Sequence, residues 1–238
     1  MTTQTSLQAP PTPQQLNVEL ENFKDRRFTE AQVVNARRDL ERFDGQNIET
    51  FRVGLDLVDE SPLDGFSLLD VGCGIGLYST LFARYGRKRI DYSGCDFSQA
   101  MVDAAVAQNP DRPFTRADAR LVPFGDKSFD VVWISALLEH VPECDQILAE
   151  AARVARHSIL LHRLFLHDGP DAAQIISCKA TEYPFIDGFT YPRTLRNRAN
   201  FDRFLEERGT ITTRRPWAFD KKRQNSPLMH SYAVRLAA

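Results

Sequence analysis

The chain has 238 residues, 42% hydrophobic and 26% charged, enough apolar material for one ordinary domain with a real core. Lysine and arginine total 30 against 32 acidic residues, a formal net charge of −2, which argues against a broad basic face for nucleic acid. The four cysteines, Cys73, Cys95, Cys144 and Cys178, are widely spaced with no C-x-x-C pair; this argues against a zinc site or disulfide framework and suits reduced thiols in a cytoplasmic protein.

Residues 1–15 are rich in Thr, Gln and Pro. They lack the charged start and apolar stretch of a signal peptide and read as a disordered tail. Residues 16–60 read as a helical cover, with one helix starting at Thr29 and running to Phe43 and a second over Ile48 to Val58. Ser61 to Gly65 is a turn. From there strands and helices alternate. Strands are expected at Ser67–Val71, Arg89–Cys95, Pro113–Ala117, Phe129–Ile134 and Ser158–Phe165, and helices at Leu77–Tyr85, Ser98–Ala107 and Cys144–Ala155, with Ser98 as an N-cap. This βαβα order predicts a doubly wound α/β fold, a parallel sheet with helices on both faces. The longest apolar stretch, Ser158 to Leu166, is broken by His162 and Arg163, and it is far too short to span a bilayer.

The last third differs. Gly169 to Tyr191 reads as irregular and aromatic, Arg193–Glu207 as a helix ended by Gly209, and Thr210–Arg214 and Ser231–Leu236 as two strands. The expected plan is one domain over 16–238. It has a core at 61–165, an acceptor or lid segment at 166–200, and a helix with a strand pair at 201–238.

The most informative stretch is Leu68-Leu69-Asp70-Val71-Gly72-Cys73-Gly74-Ile75-Gly76. A strand passes at once into alternating glycines and then a helix, an arrangement that lets backbone N–H groups approach a nucleotide. The third glycine comes one residue early for G-x-G-x-x-G. Asp96 stands 20 residues beyond Gly76, at the end of the second strand, where an acid can take both hydrogen bonds of a ribose diol. Asp118-Ala119 follows the third strand. Each has a plainer reading: Asp96 as a helix N-cap acid, Asp118 as a loop acid, Cys73 as a small loop filler without chemistry.

Taken together, several motifs resemble the class I S-adenosylmethionine-dependent methyltransferases of small-molecule type. They are Leu69 to Gly76, Gly94-Cys95-Asp96-Phe97-Ser98, Met101, Ala117-Asp118-Ala119, Pro123-Phe124, Ser128-Phe129-Asp130-Val131-Val132 and Leu138-Glu139-His140-Val141. The match covers about residues 65–165. It implies a Rossmann-like seven-stranded sheet whose last strand is antiparallel. It implies that Asp70, Gly72, Cys73, Gly74 and Gly76 surround the methionine part of S-adenosylmethionine. Asp96 would bind the ribose, Phe97 and Met101 would flank the adenine, and Asp118 and Ala119 would meet its polar edge. Ile134 and Ser135 would border the transferable methyl group.

His140 is the candidate base, since histidine accepts a proton near neutral pH; a structural loop histidine is the competing reading. His162, His167 and Asp168 flank the end of the fifth strand and also read as a metal-ligating trio, although strand alternation lets only some of them point inward. Related quinone-type methyltransferases carry two acids at the fourth-strand exit. Here Glu139 is retained but Ala136 stands where the other is expected, so no metal is expected. The acceptor pocket is expected from the N-terminal helices together with Tyr183, Phe185, Phe189, Tyr191, Arg193, Arg196 and Arg198, a set suited to a flat or anionic small molecule. The same residues also read as core under a loop and a solvated helix face.

The expected function is methyl transfer to a small-molecule acceptor, oxygen slightly ahead of nitrogen, with no nucleic-acid or membrane partner. Other readings are an RNA or protein methyltransferase, a nicotinamide-dependent oxidoreductase and a non-catalytic S-adenosylmethionine-binding protein. The exit Ile134-Ser135-Ala136-Leu137 lacks the Asn-Pro-Pro-Tyr pattern that holds a flipped base. The G-x-G-x-G spacing disfavours nicotinamide.

Overall fold

The structure, a computed structural model, describes residues 10–178, 187–218 and 228–237. Helix α1 (Pro13–Leu20) opens on a reciprocal cap. The Thr12 hydroxyl accepts from the Gln15 amide, and the Gln15 side chain accepts from the Thr12 amide. This satisfies N–H groups that a helix start leaves open, so residues 13–15 are helical where a tail was expected. Residues 1–9 lie outside the described residues. A 3-10 turn, Glu21–Lys24, leads into α2 (Arg26–Arg42). Asp25 caps α2, accepting from the Arg27 N–H at 2.8 Å. The helix therefore begins ahead of the expected Thr29 start. Helix α3 (Glu49–Asp59) completes the N-terminal segment.

The alternating part follows as β1 (Gly65–Val71), α4 (Leu77–Tyr85), β2 (Arg89–Asp96), α5 (Gln99–Gln108), β3 (Phe114–Arg116), β4 (Phe129–Ser135), α6 (Cys144–Val154) and β5 (Ala155–His167). These strands lie parallel in the order β3-β2-β1-β4-β5. The chain continues through β6 (Ala172–Ser177), β7 (Thr190–Asn197), α7 (Arg198–Glu206), β8 (Gly209–Ala218) and β9 (Leu228–Leu236). Strand β9 runs antiparallel between β5 and β8. The seven-stranded sheet with an antiparallel last strand is therefore present.

Two further strands were not expected. β6 and β7 form an antiparallel ladder from Ala172↔Leu195 to Ser177↔Thr190, and β7 joins the end of β5 through Leu166↔Arg196 and His167↔Asn197. The stretch expected to be irregular thus holds β6 and the start of β7. The expected helix from Arg193 begins only at Arg198. Tyr191 precedes a proline and is biased to extended backbone. Asn197 caps α7 by accepting from the Asn200 N–H at 3.0 Å, which fixes the boundary.

Consecutive residues of the central strands face opposite sides. Leu68, Val131, Trp133 and Leu160 pack with α3 and α4, while Leu69, Val132, Ile134 and Leu161 pack with α6. Parallel strands covered on both faces must be apolar throughout, which is why Val131-Val132-Trp133-Ile134 is fully buried. Each such side chain contributes roughly 1.5–3 kcal/mol on burial.

Candidate active site

The loop after β1 is anchored from behind. The Gly72 and Cys73 N–H groups donate to the Cys95 carbonyl at 2.8 and 2.9 Å. Gly74 and Gly76 have φ of +53° and +75°, a region that glycine enters without a steric penalty. A Cβ at Gly76 would stand 3.0 Å from both Asn109 and Phe114, whereas one at Gly74 would meet nothing within 4 Å. The loop is thus tight where it joins α4 and open at Gly74.

Asp96 ties this loop to α5. One carboxylate oxygen accepts from the Gly74 N–H at 3.0 Å and the other from the Ser98 N–H at 2.9 Å. Ser98 therefore sits at the cap position without capping through its own hydroxyl. Burial raises the Asp96 pKa, and the backbone N–H donors work against that rise. Asp118 is held by Arg120, whose terminal nitrogen lies 2.6 Å from it; this hydrogen bond lowers the Asp118 pKa.

These groups meet in a cavity of about 270 Å³ at the carboxyl ends of the central strands. Gly72, Cys73, Gly74, Asp96, Phe97, Met101, Asp118, Ala119, Ser135 and His140 all line it. Three expected contacts do not. Asp70 is buried behind the loop and accepts from the Tyr92 hydroxyl at 2.5 Å. Burial pushes its carboxyl up to about 7. Gly76 is turned toward Asn109 and Phe114, and Ile134 points into the core because it alternates with Ser135. Burial drives the Cys73 thiol far above its usual pKa, which suits a filler and not a nucleophile.

The His140 Nδ1 lies 2.8 Å from the Pro192 carbonyl. A carbonyl only accepts, so Nδ1 carries the proton and Nε2 keeps its lone pair. Burial lowers the His140 pKa to about 4, against a rise from the Pro192 contact. Nε2 stands 3.8 Å from Glu139, whose own buried carboxyl is pushed up to about 7. His162 is fully buried, with Nδ1 2.8 Å from the Ser231 hydroxyl and Nε2 3.1 Å from the Thr50 carbonyl. Both ring nitrogens are occupied, so it is a core group. Among the described residues no group of three His, Cys, Asp or Glu side chains is placed to hold a metal. Among them too, no helix is long and apolar enough to cross a membrane.

The cavity is roofed by residues that sequence patterns did not single out. Leu20, Phe23, Phe28 and Gln32 come from the N-terminal helices, and Tyr78, Arg120, Leu137 and Arg163 complete the wall. Phe23 packs on His140 with ring centres 5.0 Å apart, and Phe28 stacks on Phe189 at 4.7 Å. The Asn22 side chain donates to the Thr190 carbonyl at 2.9 Å, which fastens the roof to β7. Tyr191 packs against His140 at 5.3 Å and accepts from Arg193, yet neither Tyr191 nor Arg193 lines the cavity. Arg193 lies over Phe165, Arg196 donates to the Pro142 carbonyl, and Arg198 pairs with Asp168. Tyr183 and Phe185 lie outside the described residues.

This fold, with its strand-end cavity, is similar to that of solved S-adenosylmethionine-dependent methyltransferases. Residues 69–160 match a family model described as a methyltransferase domain. The chain is 38% identical over 112 residues to the demethylmenaquinone methyltransferase of Renibacterium salmoninarum, a match covering 47% of this chain and 45% of that protein. It therefore spans about half the length of the curated relatives it matches. A solved S-adenosylmethionine-dependent methyltransferase of Methanosarcina mazei has a TM-score of 0.63 at 18% identity, covering 76% of this chain and 96% of that one. Magnesium protoporphyrin IX methyltransferase from Synechocystis has a TM-score of 0.59 at 17% identity, covering 97% and 100%. At these identities the structural matches speak for the fold.

Proposed function

We propose that the protein transfers a methyl group from S-adenosylmethionine to a small-molecule acceptor, oxygen slightly ahead of nitrogen. The observation that carries this reading is the cavity itself. It gathers Gly72–Gly74, Asp96, Asp118 and Ser135 from four separate strand ends.

The residues present suit the cofactor. Gly74 leaves open space where a Cβ would otherwise stand. Each Asp96 oxygen has spent one lone pair on a backbone N–H and keeps another for a ribose hydroxyl. Phe97 and Met101 offer apolar faces to the adenine. Asp118 would share its carboxylate between Arg120 and the adenine amine. S-adenosylmethionine, when bound, supplies an electrophilic methyl on a sulfonium.

What the chain adds is orientation, exclusion of water and a place for a proton. Positioning alone contributes on the order of 7–11 kcal/mol in the best cases. The aromatic roof keeps the acceptor half dry. His140, neutral and with Nε2 open, takes the proton of an acceptor hydroxyl or amine placed beside it.

The test is calorimetric titration with S-adenosylhomocysteine and, in parallel, NADH, followed by a screen of acceptors with labelled methyl donor. Binding of the first alone supports the reading. Binding of NADH alone, or of neither, overturns it.

A further inference from the structure

Strand β5 is irregular where it reaches the cavity. Its register with β9 shifts between Leu161 and Leu164. Both leucines pack into the same core cluster although they are three residues apart, which strict alternation forbids. The residues between them form a bulge, and bulges re-aim side chains. Within it His162 is fixed inward by Ser231 and Thr50, while Arg163 takes φ of +63° and lines the cavity. A non-glycine residue is held in that region only when its surroundings demand it.

The placement has a chemical consequence. Asp96 is engaged by two backbone N–H groups, Asp118 by Arg120, and Arg163 by the Tyr78 hydroxyl. The acceptor half is walled by Leu20, Phe23, Leu137, Val141 and Ile147. Among the described residues lining that half, the formal charge belongs to Arg163. Its field reaches Tyr78, Glu139 and His140, favouring the ionised forms of the first two and the neutral form of the third. The Tyr78 hydroxyl, beside it, also accepts from Ser135 at 3.1 Å.

We propose that Arg163 is the specificity-determining residue of the acceptor half, selecting a small molecule with a flat apolar body and an oxyanion that meets the guanidinium and the Tyr78 hydroxyl. The oxyanion is a carboxylate or an ionised hydroxyl, and the apolar body lies against Phe23 and Leu137. This rests on the methyl-transfer reading only in leaving this half of the cavity to the acceptor. The bulge turns a cation into a cavity that it shares with the uncharged polar groups of Gln32, Tyr78, Ser135 and His140, where a charge-assisted pair is worth more than in water.

The experiment compares 2-naphthoate, naphthalene-2-carboxamide and 2-naphthol by calorimetry, with and without S-adenosylhomocysteine. The wild type is expected to prefer naphthoate over its neutral isostere by about tenfold or more. A tightening of 2-naphthol with rising pH would assign the ionised hydroxyl instead, and supports the same site. Arg163→Gly keeps the backbone in a conformation glycine adopts freely; thermal melts confirm its fold, and it is expected to lose the preference. Arg163→Lys is expected to restore part of it. Three results overturn the proposal: anion and isostere binding equally to the wild type, a preference that survives in Arg163→Gly, or no probe binding in either state. An Arg163-dependent preference without S-adenosylhomocysteine binding would sink methyl transfer and leave the oxyanion site standing.

Discussion

Replacing Asp96 by Asn tests the ribose placement. Each carboxylate oxygen accepts one backbone N–H, from Gly74 and from Ser98, and retains capacity for one ribose hydroxyl. Two charge-assisted bonds contribute roughly 1.5–3 kcal/mol each. Asn offers one neutral acceptor, worth about 0.5–1.5 kcal/mol, and its amide nitrogen cannot accept the second hydroxyl. The gross loss is about 2–5 kcal/mol. Asp96 is costly to keep ionised in its buried position, and relief of that cost offsets part of the loss. Affinity for S-adenosylhomocysteine should fall by about one to two decades. Calorimetry on wild type and Asp96→Asn, with circular dichroism melts to check folding, measures this. Adenosine and 2′,3′-dideoxyadenosine close the cycle, because only the first carries the diol. An affinity within about threefold of wild type, against the decade that ~1.4 kcal/mol represents, would refute the placement. So would an equal loss for both nucleosides.

Other consequences are open to simple measurements. Asp70 is raised from 3.8 to about 7. Its stabilising contribution is complete below pH 3.8 and is lost as pH climbs through about 7, ~4 kcal/mol at most. Asp70→Asn should therefore gain melting temperature over wild type as pH rises across that range; a difference constant with pH would count against it. His140, lowered to about 4, is neutral throughout the physiological range. With an acceptor in hand, His140→Ala should cost about 10²–10⁴-fold in kcat/KM, and a pH limb near 7 should persist in the variant because it belongs to Glu139; undiminished turnover removes His140 as base. Gly76→Ala places a Cβ 3.0 Å from Asn109 and Phe114 at φ +75°. It should cost about 1–3 kcal/mol in a thermal melt, and an unchanged melting temperature would show that the loop relaxes.

What was legible in the sequence was what neighbours along the chain determine. Leu77–Tyr85 lies between Gly76 and Gly86 and falls where the pattern places it. Val131 to Ile134 reads as a buried strand because both faces need apolar residues. Gly72, Gly74, Asp96 and Asp118 fall together at one cavity because their spacing follows from strand–loop–helix geometry. Contacts that depend on packing were silent. Nothing local says that Phe23 will cover His140, or that Arg193 belongs to β7, since that needs β6 as its partner. Asp70 carries the signal of a binding residue, yet its side chain turns to Tyr92. Arg163 reads only as an interruption of an apolar strand; its aim depends on a bulge set by β9.

The fastening of the roof to β7 also bears on the order of assembly. Asn22 and Glu19 reach Thr190 across 168 and 171 residues of chain. The price of closing so long a loop rises only slowly with its length, and it is met by these hydrogen bonds together with the Phe28–Phe189 stack and the buried cluster of Ala31, Cys178 and Phe189. Contacts between segments so far apart in sequence form late. The strand ends that carry the glycine loop and Asp96 are complete without them. Docking of the first helices onto β7 is therefore expected to follow formation of the sheet beneath.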